Sequence, residues 1–212
     1  MKDAVTFWDG IADKYSKTPI SDMESYEYTL NRTRSYLTQS DRVLEVGAGT
    51  GRTALSLASQ VGEIVVTDLS DAMLDVGRAE AKADGVENIS FERCDAGALP
   101  EGPFDVVLAH NILHLIDDLD GSLSAMHRVL KPGGLMISKT FCKPEGGGGS
   151  FKITMMRLIL PLMQMVGKAP FVAIRSVAEF EAAIWAAGFE TVETMTVPKK
   201  GGSRYVVARK IA

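Results

Sequence analysis

The sequence predicts an α/β domain built on a mostly parallel sheet with helices on both faces. Short, continuous apolar runs alternate with amphipathic segments through the middle of the chain, the pattern of repeated βαβ units. A glycine-rich turn, Gly47-Ala48-Gly49-Thr50-Gly51, directly follows the first of those runs. The 212 residues are 46% hydrophobic and 24% charged, enough apolar mass for a full core without disulfides or structural metal.

Residues 1–38 read as a helical cap that precedes the first strand. Strands follow at 43–46, 64–66, 89–91, 106–109 and 135–138. Runs this short and continuous suit strands buried on both faces, whereas 89–91 alternates like an edge strand. Ser70 or Asp71 caps a helix that runs to about Gly85. Leu123, Met126, Val129 and Leu130 form a helical stripe, ended by Lys131-Pro132-Gly133-Gly134. Residues 142–175 stand outside the alternation. Four consecutive glycines from Gly146 to Gly149 mark a flexible joint, and Met155, Met156, Met163 and Met165 follow. Ser176 and Glu179 form a capping box for a helix striped by Val177, Phe180, Ile184 and Ala187, with Gly188 as its stop. Residues 190–197 and 204–208 read as an antiparallel hairpin around Gly201-Gly202.

Composition excludes several classes. Lys plus Arg number 23 against 27 Asp plus Glu, and the net charge of −4 argues against a nucleic-acid partner. Cys94 and Cys142 make neither a disulfide framework nor a metal cluster, which favours a reducing, cytoplasmic compartment. Asp3 and Asp9 stand where a signal peptide would need an apolar run. The longest apolar stretch, 158–166, contains Pro161 and Gln164 and is far shorter than the ~20 residues that span a bilayer. A compact monomer or homodimer without integral membrane contact is expected.

The chemistry concentrates after the first three strands. A glycine-rich strand-to-helix turn lets a ligand approach the backbone near a helix N-terminus. The spacing here is G-x-G-x-G, with Glu45 two places before the first glycine. Arg52 occupies the position of the last glycine in the dinucleotide fingerprint. Asp68 ends the second strand, roughly 20 residues on, where a carboxylate can accept from a ribose diol. Asp95 and Ala96 follow the third strand, where a base would lie. Singly, each aspartate reads as an ordinary turn residue; in register after three successive strands, they point to a nucleoside ligand.

Together VLEVGAGTG, VVTDLS, CDAGALP, FDVVLAHNILHLI and LKPGG resemble the class I S-adenosylmethionine-dependent methyltransferases. The similarity covers about residues 40–142 and resumes more loosely over 176–210. The opening FWDGIADKY is similar to the N-terminal segment of small-molecule methyltransferases related to those of quinone biosynthesis. The resemblance implies one Rossmann-like domain over 1–212, with a seven-stranded sheet in the order 3-2-1-4-5-7-6 and a helical lid at 142–175 after strand 5. It implies S-adenosyl-L-methionine as cofactor. Gly47, Ala48, Gly49 and Gly51 would line its methionine and ribose portions, with Glu45 near the amine. Asp68 would hold the ribose hydroxyls, Leu69 would pack on adenine, and Asp95 would accept from the adenine amino group beside the Ala96 N–H. His110 would lie beside the sulfonium, and Tyr15 would cover the methionine moiety.

A small-molecule acceptor is expected, because His110-Asn111-Ile112-Leu113 replaces the signature of exocyclic-amine methylation. His110 and His114 are the candidate bases, four residues apart; His114 reads equally as structural. No third ligand accompanies the pair, so no metal is expected. Cys94 and Cys142 read as packed, and His127 as a surface residue. The methionine-rich segment reads as a packing helix, a lid over an apolar acceptor, or a membrane-surface contact. The rival functions are a nicotinamide-dependent oxidoreductase, disfavoured by Arg52 and Asp95-Ala96, and a non-catalytic cofactor-binding regulatory domain.

Overall fold

The structure, a computed structural model, describes residues 2–143, 163–164, 169–198 and 202–211. Its strands are β1 (Arg42–Val46), β2 (Glu63–Asp68), β3 (Ile89–Arg93), β4 (Phe104–His110), β5 (Leu130–Phe141), β6 (Phe189–Val197) and β7 (Ser203–Lys210). They form one sheet in the order β3-β2-β1-β4-β5-β7-β6. The first five are parallel, and β7 runs antiparallel to both β5 and β6. Val43 of β1 pairs with Ile64 on one side and Val106 on the other, so the apolar runs lie at the sheet centre. β3 is an edge strand and is largely exposed, as its alternation predicts.

Among the described residues, six α-helices flank the sheet: α1 (Lys2–Lys17), α2 (Met23–Arg34), α3 (Arg52–Leu57), α4 (Asp71–Ala83), α5 (Leu119–Val129) and α6 (Val177–Ala186). Each sheet face buries its own apolar layer. On one face Val107, Ala109 and Met136 pack with Leu123 and Met126 of α5 and with Phe180 and Ile184 of α6. On the other, Val106, Leu108, Ile137 and Tyr205 pack with Leu30 of α2, Leu57 of α3 and Leu74 of α4. Each such side chain contributes about 1.5–3 kcal/mol by leaving water. Among the described residues, no helix is long and apolar enough to cross a membrane.

The caps anticipated from sequence are formed. The Ser70 hydroxyl accepts from the Met73 N–H at 3.1 Å. The Ser176–Glu179 box closes in both directions, with the Ser176 N–H donating to Glu179 Oε2 at 2.7 Å. Arg32 of α2 makes a bidentate ion pair with Glu193 of β6, joined by the Tyr36 hydroxyl, and this clamp fixes α2 against the sheet.

Two readings are corrected. The fifth strand starts earlier than the expected 135–138, since β5 begins at Leu130, which belongs to the strand and not to the helical stripe. Leu130 pairs with Phe104, the ladder shifts register before Val106, and the Lys131 ammonium holds Asp105 at 2.6 Å. His127 is not a surface residue. It packs edge-on against Phe189 at 5.2 Å, because the start of β6 covers a position that helical periodicity places beside the apolar stripe.

Gly146 to Gly149, Met155, Met156 and Met165 lie outside the described residues. The two ends of the 142–175 segment meet: Lys143 bridges to Ser176, and its N–H donates to the Arg175 carbonyl at 2.7 Å. The Arg175 guanidinium bonds the carbonyls of Leu113 and Ile116, which seats the returning chain on the loop after β4.

Candidate active site

The carboxyl ends of parallel strands leave backbone and side chains free to meet a ligand, and the loops there enclose a cavity of about 850 Å³. The glycine loop forms its floor. Gly47 and Gly49 have φ of +61° and +59°, a region that side chains adopt only at a cost. A Cβ on Gly47 would stand 2.2 Å from Ile112 Cγ1, so that glycine admits the loop after β4. A Cβ on Gly49 would meet only Tyr15 Cε1, at 3.8 Å, and would project into the cavity. Gly51 does not line the cavity; its Cβ would face Phe91 Cε1 at 3.1 Å, which makes it a packing residue under the loop.

Asp68, at the end of β2, ties the loop down. Its Oδ2 accepts from the Gly49 N–H at 2.8 Å and its Oδ1 from the Ser70 N–H at 2.9 Å. Burial raises its pKa despite these bonds. Leu69, Asp95, Ala96 and Ala48 lie on the same wall, and Asp95 Oδ1 accepts from the Gly97 N–H at 2.8 Å. Tyr15 also lines the cavity, stacked edge-on with Trp8 of α1. Two polar contacts hold α1 there. Asp9 Oδ1 accepts from the Ser70 hydroxyl at 2.5 Å, and the Arg52 guanidinium donates to the Ser16 carbonyl at 2.8 Å.

Glu45 is 2% exposed, and its Oε2 has no hydrogen-bond partner. Burial, with a further push from Asp68, moves its pKa up to about 8. An unpartnered buried carboxyl is costly, and a cationic ligand group would relieve it. His110 closes β4 on the cavity wall with a buried, unpartnered Nε2. Burial and the nearby Lys139 push its pKa down to about 4, so the ring is neutral at physiological pH. The structure does not bring His114 to the cavity. Its Nδ1 lies 3.1 Å from the Thr140 hydroxyl, and burial lowers its pKa to about 4.

Sequence reasoning missed Lys139, Tyr26, Asp22 and Phe171, all on the cavity wall. The available signal for Lys139 was a lysine set inside the apolar run of β5; the others carry none. Cys94 also lines the cavity, but burial raises its thiol to about 11, away from nucleophilic use. Among the described residues the wall is acidic: Asp22, Glu45, Asp68, Asp95, Asp117 and Asp118 face Arg52 and Lys139 as cations. No group of three or more potential metal ligands occurs among the described residues.

These residues fit S-adenosylmethionine. The orphaned Glu45 oxygen beside the glycine loop suits its ammonium, the free space over Gly49 admits its backbone-hugging portion, and Asp68 and Asp95 face the nucleoside side. A family model described as a methyltransferase domain matches residues 37–184. The ubiquinone/menaquinone biosynthesis C-methyltransferase UbiE of Shewanella baltica is 37% identical over 110 residues, 49% of this chain and 44% of that protein. The chain thus spans under half the length of the curated relatives it matches. Among solved structures, a SAM-dependent methyltransferase from Aquifex aeolicus superposes with a TM-score of 0.72 at 17% identity, covering 94% of this chain and 98% of that one. Phosphoethanolamine N-methyltransferase 2 of Haemonchus contortus, in complex with S-adenosyl-L-methionine, gives 0.69 at 18% identity over 88% and 53% of the two chains. These structural likenesses show the fold. With the family match extending over most of its residues, the chain belongs to the methyltransferase-domain family.

Proposed function

We propose that this enzyme methylates a small acceptor with substantial hydrophobic surface. One observation carries the reading: the cavity lined by Gly49, Asp68 and Asp95 is lined also by Ile20, Tyr26, His110, Phe171 and Val197. When bound, S-adenosylmethionine supplies the electrophilic methyl on its sulfonium. The chain's part is alignment and exclusion of water, and good alignment alone lowers a barrier by as much as ~7–11 kcal/mol. Asp68 and Asp95 orient the nucleoside, Glu45 receives the amine, and Leu69 packs on the base. Tyr15 and Trp8 roof the site. A neutral His110 holds the acceptor by donating a hydrogen bond from Nε2–H rather than by removing its proton. His114, bonded to Thr140, supports the loop after β4. Residues 1–38 belong to the same functional unit, and Pro170 and Phe171 line the cavity with them.

The acidic wall and the cavity favour a small molecule over nucleic acid or protein. Calorimetry with S-adenosylhomocysteine and with NAD tests the cofactor, and only the former should bind. Incubation of extract with labelled cofactor should place label in the small-molecule fraction. Label recovered chiefly in RNA or protein would overturn the proposal.

A further inference from the structure

Lys139 has no part in the cofactor wall, and its surroundings are unusual for a cation. It lies on β5 directly opposite His110 of β4, so the two side chains share one face of the sheet at its carboxyl edge. Val106, Leu108, Ile137 and Tyr205 form that face below them, and Tyr26 of α2 packs over it. Among the described residues no ion pair or side-chain hydrogen bond to Lys139 occurs. His110 Nε2 and the Tyr26 hydroxyl are also buried without partners, and all three line the cavity. The carboxylate nearest to Lys139 in its electrostatics is Asp22. That group is engaged elsewhere, capping α2 by accepting from the Ser25 N–H at 3.0 Å.

We propose that Lys139, with His110 and Tyr26, forms the acceptor-recognition corner, and that the acceptor presents an anionic oxygen to it. The inference rests on the methyltransferase reading above and names its substrate class. A half-buried ammonium without a partner is poorly solvated, and burial accordingly lowers its pKa. An ionised oxygen restores the lost interaction and satisfies the two neutral groups beside it. Among the described residues the wall is otherwise mostly acidic and its other cation, Arg52, is bonded to the Ser16 carbonyl, so this corner offers an anionic group an unengaged cation. Lys139 therefore fixes which end of the acceptor enters first. An acceptor that arrives ionised also needs no protein base, consistent with the weakly basic His110.

The test uses the full chain saturated with S-adenosylhomocysteine and two matched probe pairs in calorimetry. Naphthoate is compared with its methyl ester, and para-nitrophenolate with para-nitroanisole, at a pH where both anions are ionised. At least one anion should bind about tenfold more tightly than its neutral partner. Whichever pair shows the gap identifies a carboxylate or an ionised hydroxyl as the recognised group. Lys139→Met should abolish the gap while leaving S-adenosylhomocysteine affinity unchanged, and Lys139→Arg should retain most of it. Equal or absent binding of anions and neutral partners by the wild type overturns the inference, as does a gap that survives in Lys139→Met. Failure of the wild type to bind S-adenosylhomocysteine would instead sink the methyltransferase reading.

Discussion

Asp68 accepts from two backbone N–H groups while lining the cavity, so it shapes the glycine loop and stands where the proposed cofactor would meet it. Asp68→Ala should weaken S-adenosylmethionine binding by about 2 kcal/mol or more, measured by calorimetry. Gly49→Val should abolish binding, because the added side chain both enters the ligand space and resists a φ of +59°. Wild-type affinity in either variant would remove the assignment. Glu45 yields a pH dependence. Its pKa of about 8 in the folded chain lies above the ordinary 4.5, so folding takes up a proton between those values. The Glu45 contribution to stability therefore falls as pH rises from about 4.5 to about 8, by on the order of a few kcal/mol, while buried His110 and His114 contribute the opposite slope between about 4 and 6.5. Urea midpoints should rise more, or fall less, with pH in Glu45→Gln than in the wild type, and identical pH profiles would remove the assignment. A cationic cofactor favours the ionised carboxyl, so binding near neutrality should release a proton. Binding enthalpies that depend on the buffer in the wild type, but not in Glu45→Gln, would show it.

At the scale of elements, local chemistry was readable wherever a helix or strand satisfies its own needs. The Ser70 cap, the Ser176–Glu179 box and the glycine turn are such cases, because each is a short-range bargain among neighbours in sequence. Ser176→Ala should lower stability by about 1 kcal/mol without changing cofactor affinity, a separation that thermal unfolding and calorimetry resolve. What sequence did not disclose depends on partners far along the chain. The cover that β6 gives His127 and the early start of β5 at Leu130 both arise from strand pairing. Docking of α1 is likewise long-range, through Asp9 to Ser70 and Ser16 to Arg52. S-adenosylhomocysteine should increase hydrogen-exchange protection across residues 2–17, and unchanged exchange there would leave α1 as plain packing.

At the scale of the whole molecule, the alternation of apolar runs disclosed the parallel core. The order of the seven strands came only with the family resemblance, since periodicity does not say which strands are neighbours. The part of the cavity wall beside the glycine loop was legible because its residues sit at fixed offsets from strand ends. The remainder was not, because Tyr26, Lys139 and Phe171 come together from three separated parts of the chain. The acidity of the cavity wall has a further consequence for turnover. S-adenosylmethionine carries one more positive charge than S-adenosylhomocysteine, and the described cavity wall holds six carboxyl groups against two cations. The spent molecule should therefore be held less firmly than the fresh one. Because the preference is Coulombic, it should shrink as ionic strength rises. Adding salt should weaken the charged form more steeply than the neutral one, until the two compete on nearly equal terms.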